Sequence, residues 1–206
     1  MRLSRTVPFS ILSTFVLALS LAAPASASKA VAHGDFASVR ISNFGQMDDR
    51  FYRGAQPKPE DYSALSTLGI KTVIDLRDDP TDYEKSDTES AGMHYVNIPM
   101  SDKEYPSDQS IQRFLSVIND PNCGKFYVHC AGGRHRTGLV GAIYRFNHDH
   151  WNFDQVYDEM KSYDFYTRFG HGDIKKYVED YWQRIQAKGF PANYAELPGQ
   201  SIVASK

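Results

Sequence analysis

Apolar and polar positions switch between two spacings along this chain, and the switches outline its elements. Val39 to Phe44 and Phe51 to Gly54 read as two short strands around a polar turn. Pro59 to Leu68 reads as a helix stopped by Gly69, with a buried strand from Lys71 to Leu76 after it. From Asp78 to Gly92 the chain turns polar and acidic, which predicts a surface loop with some helix. Met93 to Ile98 returns to strand character. Ile111, Phe114, Leu115 and Ile118 then share one helical face, with Asp108 as a candidate N-cap. Lys125 to Val128 is short, aromatic and β-branched, and fits a buried strand ending at His129. Leu139, Val140, Ala142, Ile143 and Phe146 recur at helical spacing, so a helix begins near Thr137. Two amphipathic stretches follow, over 153–163 and 173–188. Strands mixed with helices, ending in a helical half, predict an α/β domain around a central sheet.

The ends change the picture. Arg2 and Arg5 precede an uncharged stretch with an apolar middle and a small-residue exit at Ala25-Ser26-Ala27. That order describes a secretory signal peptide over 1–27, cleaved after Ala27. A retained membrane anchor is the alternative, but the apolar part is short and broken by serines. The expectation is an exported protein, periplasmic or extracellular, with no stable membrane association after cleavage. The domain then covers 28–189, and 190–206, with Pro191, Pro198 and Gly199, forms a loosely packed tail.

Losing the two arginines takes the formal charge from −2 to −4. A mildly acidic domain has no global attraction for nucleic acid or anionic membranes, so any affinity for phosphate is local. The two cysteines, Cys123 and Cys130, bracket a predicted strand. They would lie roughly 20 Å apart, too far for a disulfide. His148-Asp149-His150 fits a solvated helix end better than a metal site.

The chemistry concentrates in His129-Cys130-Ala131-Gly132-Gly133-Arg134-His135-Arg136-Thr137-Gly138. A loop between a strand and a helix N-terminus turns backbone N–H groups inward, and the helix dipole adds partial positive charge. A phosphate dianion fits that cradle. Gly132 and Gly133 suit positive φ and close approach of the ligand. The same field favours the thiolate of Cys130. Arg136 offers a planar fork for two phosphoryl oxygens. Thr137 is placed to donate toward the sulfur, and His129 to order the loop through its ring N–H groups.

This loop resembles the HCxxGxxR[ST] loop of the cysteine-dependent tyrosine and dual-specificity phosphatases. The form Gly133-Arg134-His135-Arg136-Thr137-Gly138 is similar to the atypical plant and fungal branch, some of whose members act on inositol pyrophosphates. Phe51-Tyr52-Arg53-Gly54-Ala55-Gln56-Pro57 and Leu68 to Arg77 also resemble that group and related bacterial enzymes. The resemblance spans about 38–188. It implies a central mixed sheet flanked by helices. It also implies two-step chemistry through a phosphocysteine, with no metal and no cofactor.

The family's remaining catalytic part is an aspartic acid upstream of the cysteine. Asp102, just past Ile98-Pro99-Met100-Ser101, matches best, ahead of Glu104 and Asp108. The catalytic set would be Cys130, Arg136, Asp102, Thr137 and His129, with Ala131, Gly132, Gly133, Arg134, His135 and Arg136 binding substrate. Phosphoproteins or inositol phosphates would be the substrates. Arg134-His135 and Lys103 favour the second and the acidic net charge opposes it. Arg53 and Arg77 stand either as substrate ligands or in ion pairs with Asp78 and Asp79. Two rival classes are a non-catalytic phospho-ligand module and an arsenate-reducing thiol enzyme. The first leaves the loop's reactive groups unused; the second needs a nearer second thiol than Cys123.

Overall fold

A computed structural model describes residue 36 and residues 38–188. The expected signal peptide and the tail from 190 lie outside the described residues. Five strands form one sheet in the order β1-β2-β5-β3-β4. They are β1 (Gly45–Gln46), β2 (Phe51–Ala55), β3 (Ile70–Arg77), β4 (His94–Met100) and β5 (Lys125–Cys130). β2, β5, β3 and β4 run parallel, and only β1 pairs antiparallel, with β2. The sheet is mixed, as the resemblance implied.

Successive strand residues point to opposite faces, and two cores follow from that. Phe51, Ile74, Leu76, Phe126 and Val128 face a large cluster with α3 (Asp108–Asn119), α4 (His135–Tyr144), α5 (Phe153–Ser162) and α6 (Gly172–Lys188). Tyr52, Val73 and Tyr127 face a smaller cluster that includes Tyr62 and Leu65 of α1 (Tyr62–Thr67). α2 (Glu84–Ser90) lies between β3 and β4 in the chain. Every residue of α4 is buried, so its apolar positions run all round the helix rather than along one stripe.

Two sequence expectations shift here. Val39 to Phe44 forms no strand: Asn43 takes φ 53, a left-handed conformation that breaks an extended run. Ile41 is buried nonetheless, and Val39 and Phe44 are partly buried against the smaller cluster, with Phe44 stacked 5.9 Å from Tyr127. The apolar pattern signalled burial rather than pairing. Asp108 is not the cap of α3 either. Ser107 is the N-cap and its hydroxyl accepts from the Ser110 N–H at 3.1 Å, while Asp108 accepts from the Tyr177 hydroxyl at 2.6 Å.

Candidate active site

The carboxyl ends of the parallel strands share one edge, where open α/β sheets bind ligands. Ala55 of β2 is in register with Cys130 of β5, and Arg77 of β3 with Met100 of β4. A cavity of about 170 Å³ opens there, lined by Cys130, Ala131, Gly132, residues 134–136, Asp102, Tyr166 and His171. Asp102 is therefore at the cavity and Glu104 is exposed outside its wall.

The loop's shape is set from outside it. Three successive carbonyl oxygens are held by donors from distant chain. The Gln56 N–H donates to Ala131 O at 3.3 Å, Asn43 Nδ2 to Gly132 O at 2.9 Å, and an Arg53 terminal nitrogen to Gly133 O at 2.8 Å. In a trans peptide the C=O and the following N–H point opposite ways. Tying those oxygens outward therefore turns the N–H groups of Gly132, Gly133 and Arg134 inward. Arg53 is buried, and its guanidinium stacks 3.9 Å from the Tyr163 ring centroid. It is neither a cavity ligand nor a partner of Asp78 or Asp79; it is a strut under the loop. Arg77 does pair with Asp79, at 2.9 Å.

Only one glycine of the pair has positive φ. Gly133 sits at φ 67, and a Cβ there would lie 2.4 Å from the Gly54 carbonyl carbon. Gly132 has no positive φ, and a Cβ would meet only the Arg134 side chain at 3.8 Å. Gly133→Ala is expected to cost about 2–5 kcal/mol, from overpacking against backbone that cannot yield and from left-handed strain. Gly132→Ala should stay close to native. Urea unfolding of both variants checks this; equal midpoints would remove the steric argument.

Burial would raise the Cys130 thiol. Hydrogen bonding from the Thr137 side chain and backbone, with the positive charge of Arg136 and His129, outweighs it and holds the thiol below its ordinary value. Among the described residues the Thr137 hydroxyl has no partner besides that sulfur. Arg136 is buried; one terminal nitrogen donates to Asp78 at 2.7 Å and to Met100 O at 3.0 Å, while its Nε is unpartnered. Asp78 thus pairs with Arg136 rather than with Arg53 or Arg77.

His129 faces away from the loop. It is fully buried, with Nε2 2.6 Å from Glu84 Oε1 and Nδ1 3.9 Å from Asp75 Oδ1. Burial would lower its pKa, but the contact and charge of Glu84, then Asp75, raise it. Its link to the loop is indirect: Gln56 donates to Glu84 through Nε2 at 2.7 Å and to Ala131 through its backbone. Glu84 comes from the acidic stretch read as a surface loop, and nothing in its local pattern marks it as buried. Asp75, Glu84 and His129 each place one potential metal-ligand atom within 4.8 Å of the others. Those carboxylates already accept from Tyr95, the Arg77 N–H and Gln56, so a hydrogen-bonded network accounts for them.

His135 lies at the cavity wall, parallel to His171 at 3.6 Å between centroids. Burial first, then the neighbouring His171 and Arg134, push its pKa down to about 4. Arg134 lies 3.7 Å from Asp164 at the rim. Cys123 and Cys130 are both free thiols. Tyr166, His171 and Asn43 carried no motif, and the sequence alone did not single them out.

The mixed sheet and the cysteine–arginine loop at its edge define a cysteine-type phosphatase of the dual-specificity class. The chain belongs to the family described as DSP-PTPase phosphatase fused to NAD+ kinase, which matches residues 29–172. It is 28% identical over 145 residues to the probable tyrosine-protein phosphatase DG1060 of Dictyostelium discoideum, covering 68% of this chain and 82% of that protein. It is 28% identical over 137 residues to the inositol diphosphatase DSP4 of Arabidopsis thaliana, covering 59% of this chain but only 63% of that protein. The core catalytic domain of the PP-IP phosphatase SIW14 from S. cerevisiae has the same fold, with a TM-score of 0.57 at 23% identity over 73% of this chain and 94% of that one.

Proposed function

We propose that this chain is an exported phosphatase that cleaves phosphate monoesters of tyrosine-phosphorylated or otherwise phosphorylated proteins through a phosphocysteine. The Cys130 thiolate attacks phosphorus while Arg136 and the inward N–H groups hold the equatorial oxygens. As the P–O bond breaks, Asp102 gives its proton to the leaving oxygen. A water then attacks phosphorus, losing its proton to the Asp102 carboxylate, and the S–P bond breaks to return the thiolate. Thr137 donates to the departing sulfur.

The observation that carries the protein-substrate reading is the charge at the cavity. Asp78 offsets Arg136, Asp164 sits beside Arg134, and His135 is neutral at pH 7. That leaves room for one phosphoryl group on a substrate of modest charge, with the Tyr166 ring on the wall. An inositol phosphate or pyrophosphate is the second reading. It is favoured by the names of the Arabidopsis and yeast relatives and by Lys103 packed beside Gly170 near the rim.

Phosphate release by residues 28–206 separates the two. A kcat/KM for phosphotyrosine peptides at least about tenfold above that for inositol phosphates is expected, a difference of roughly 1.4 kcal/mol. The reverse order would make the inositol reading the correct one. Export is tested by following the full chain for removal of the segment before Ser28 in an exporting cell.

A further inference from the structure

We propose that His171 is a positioning residue that fixes the Asp102 loop against the phosphate loop. This rests on the reading of Asp102 as proton donor. The loop after β4 has little structure of its own: the Ser101 hydroxyl accepts from the Lys103 and Glu104 N–H groups at 3.3 and 3.2 Å. Its anchor is the turn ahead of α6. His171 Nδ1 lies 2.6 Å from the Asp102 carbonyl oxygen. A carbonyl only accepts, so Nδ1 carries the hydrogen of that bond.

The ring is itself fixed. His171 is 6% exposed and lies at 12° to the His135 ring at 3.6 Å. Tyr166 meets both rings edge-on, at 4.5 Å and 82° for His135 and at 5.5 Å and 70° for His171. His135 directly precedes Arg136 in the chain. The stack therefore spans from the anion-binding loop to the backbone of the residue that carries the acid. Gly170, at φ 94, packs against the Lys103 side chain, and the Tyr105 hydroxyl donates to Asp180 on α6 at 2.8 Å. Contacts before, at and after Asp102 thus join its loop to neighbouring chain, since Met100 O also accepts from Arg136.

Proton transfer needs the carboxyl within hydrogen-bond reach of the leaving oxygen. Loosening the loop should therefore show where the leaving group needs a proton and much less where it does not. The readout is the ratio of kcat/KM for an alkyl phosphate to that for dinitrophenyl phosphate. His171→Ala should lower this ratio about tenfold, since a displacement of about 1 Å can cost up to roughly a hundredfold. His171→Asn keeps an amide donor at the position of Nδ1 and should bring the ratio back to within about threefold of native. His171→Gln puts its donor one bond farther out, should behave like alanine, and replaces it if the alanine variant does not fold by thermal unfolding. In an Asp102→Asn chain, adding His171→Ala should change the ratio less than about twofold, because the positioned group is gone.

An unchanged ratio in His171→Ala and His171→Gln, no recovery in His171→Asn, or the same loss on top of Asp102→Asn would each overturn the proposal. If Asp102→Asn collapses the ratio and the His171 variants leave it alone, only this proposal fails. If Asp102→Asn itself leaves the ratio unchanged, the proton-donor reading fails and this one with it.

Discussion

Cys130→Ser is expected to reduce phosphate release by about 10⁴-fold or more while leaving the fold and the anion site in place. Serine is slightly smaller than cysteine, and the site is buried at the end of β5, so packing changes little. What disappears is the ionised nucleophile. The surroundings that hold the Cys130 thiol below its ordinary value cannot ionise a hydroxyl, whose acidity is far weaker. Arg136 and the inward N–H groups remain, so a phosphotyrosine peptide should still bind with a Kd within a few fold of native. Acid-quenched native enzyme should carry covalent phosphate on Cys130, and the variant none. Turnover near the native rate in the serine variant would remove the nucleophile from this loop altogether.

Asp102→Asn should split substrates by leaving group. A positioned acid contributes about 10²–10⁴-fold, and that much is expected to vanish for alkyl phosphates. Dinitrophenyl phosphate, whose leaving oxide needs no proton, should lose far less. Asparagine keeps the shape and the carbonyl that His171 binds, so the geometry of the loop is preserved. Equal losses on both substrates would move the proton donor elsewhere. Glu104 is exposed and outside the cavity wall, and Asp108 is engaged by Tyr177 and by Arg184 at 3.3 Å.

The parts of this site that were legible in the sequence are those whose chemistry is local. Cys130, Arg136 and Thr137 lie within one strand–loop–helix junction, so spacing along the chain nearly fixes their spacing in space. The strands β2 to β5 were readable for a similar reason: alternation and β-branched content report burial directly. The failures share a different cause. Asn43 meets Gly132 across 89 positions, Arg53 meets Gly133 across 80, and His171 meets Asp102 across 69. A polar residue that ends as a buried strut has the same local signature as one in water. Glu84 shows this best, since an acidic helix of the chain places it at zero exposure beneath His129. The choice of Ser107 over Asp108 as cap, and of Gly133 over Gly132 for positive φ, turned on backbone angles that neighbouring residues of like type do not distinguish.

The three outward-tied carbonyls also bear on how portable such a motif is. The shape of this loop is a property of two chain segments, only one of which contains the motif. Transplanted alone to another strand–helix junction, residues 129–138 would keep their thiol and guanidinium but lose the donors at Asn43, Arg53 and Gln56. The freed peptide planes could then rotate and present oxygen where N–H groups now point inward. A match to the loop therefore identifies the reagent, and the residues eighty positions upstream decide whether it has a receptacle.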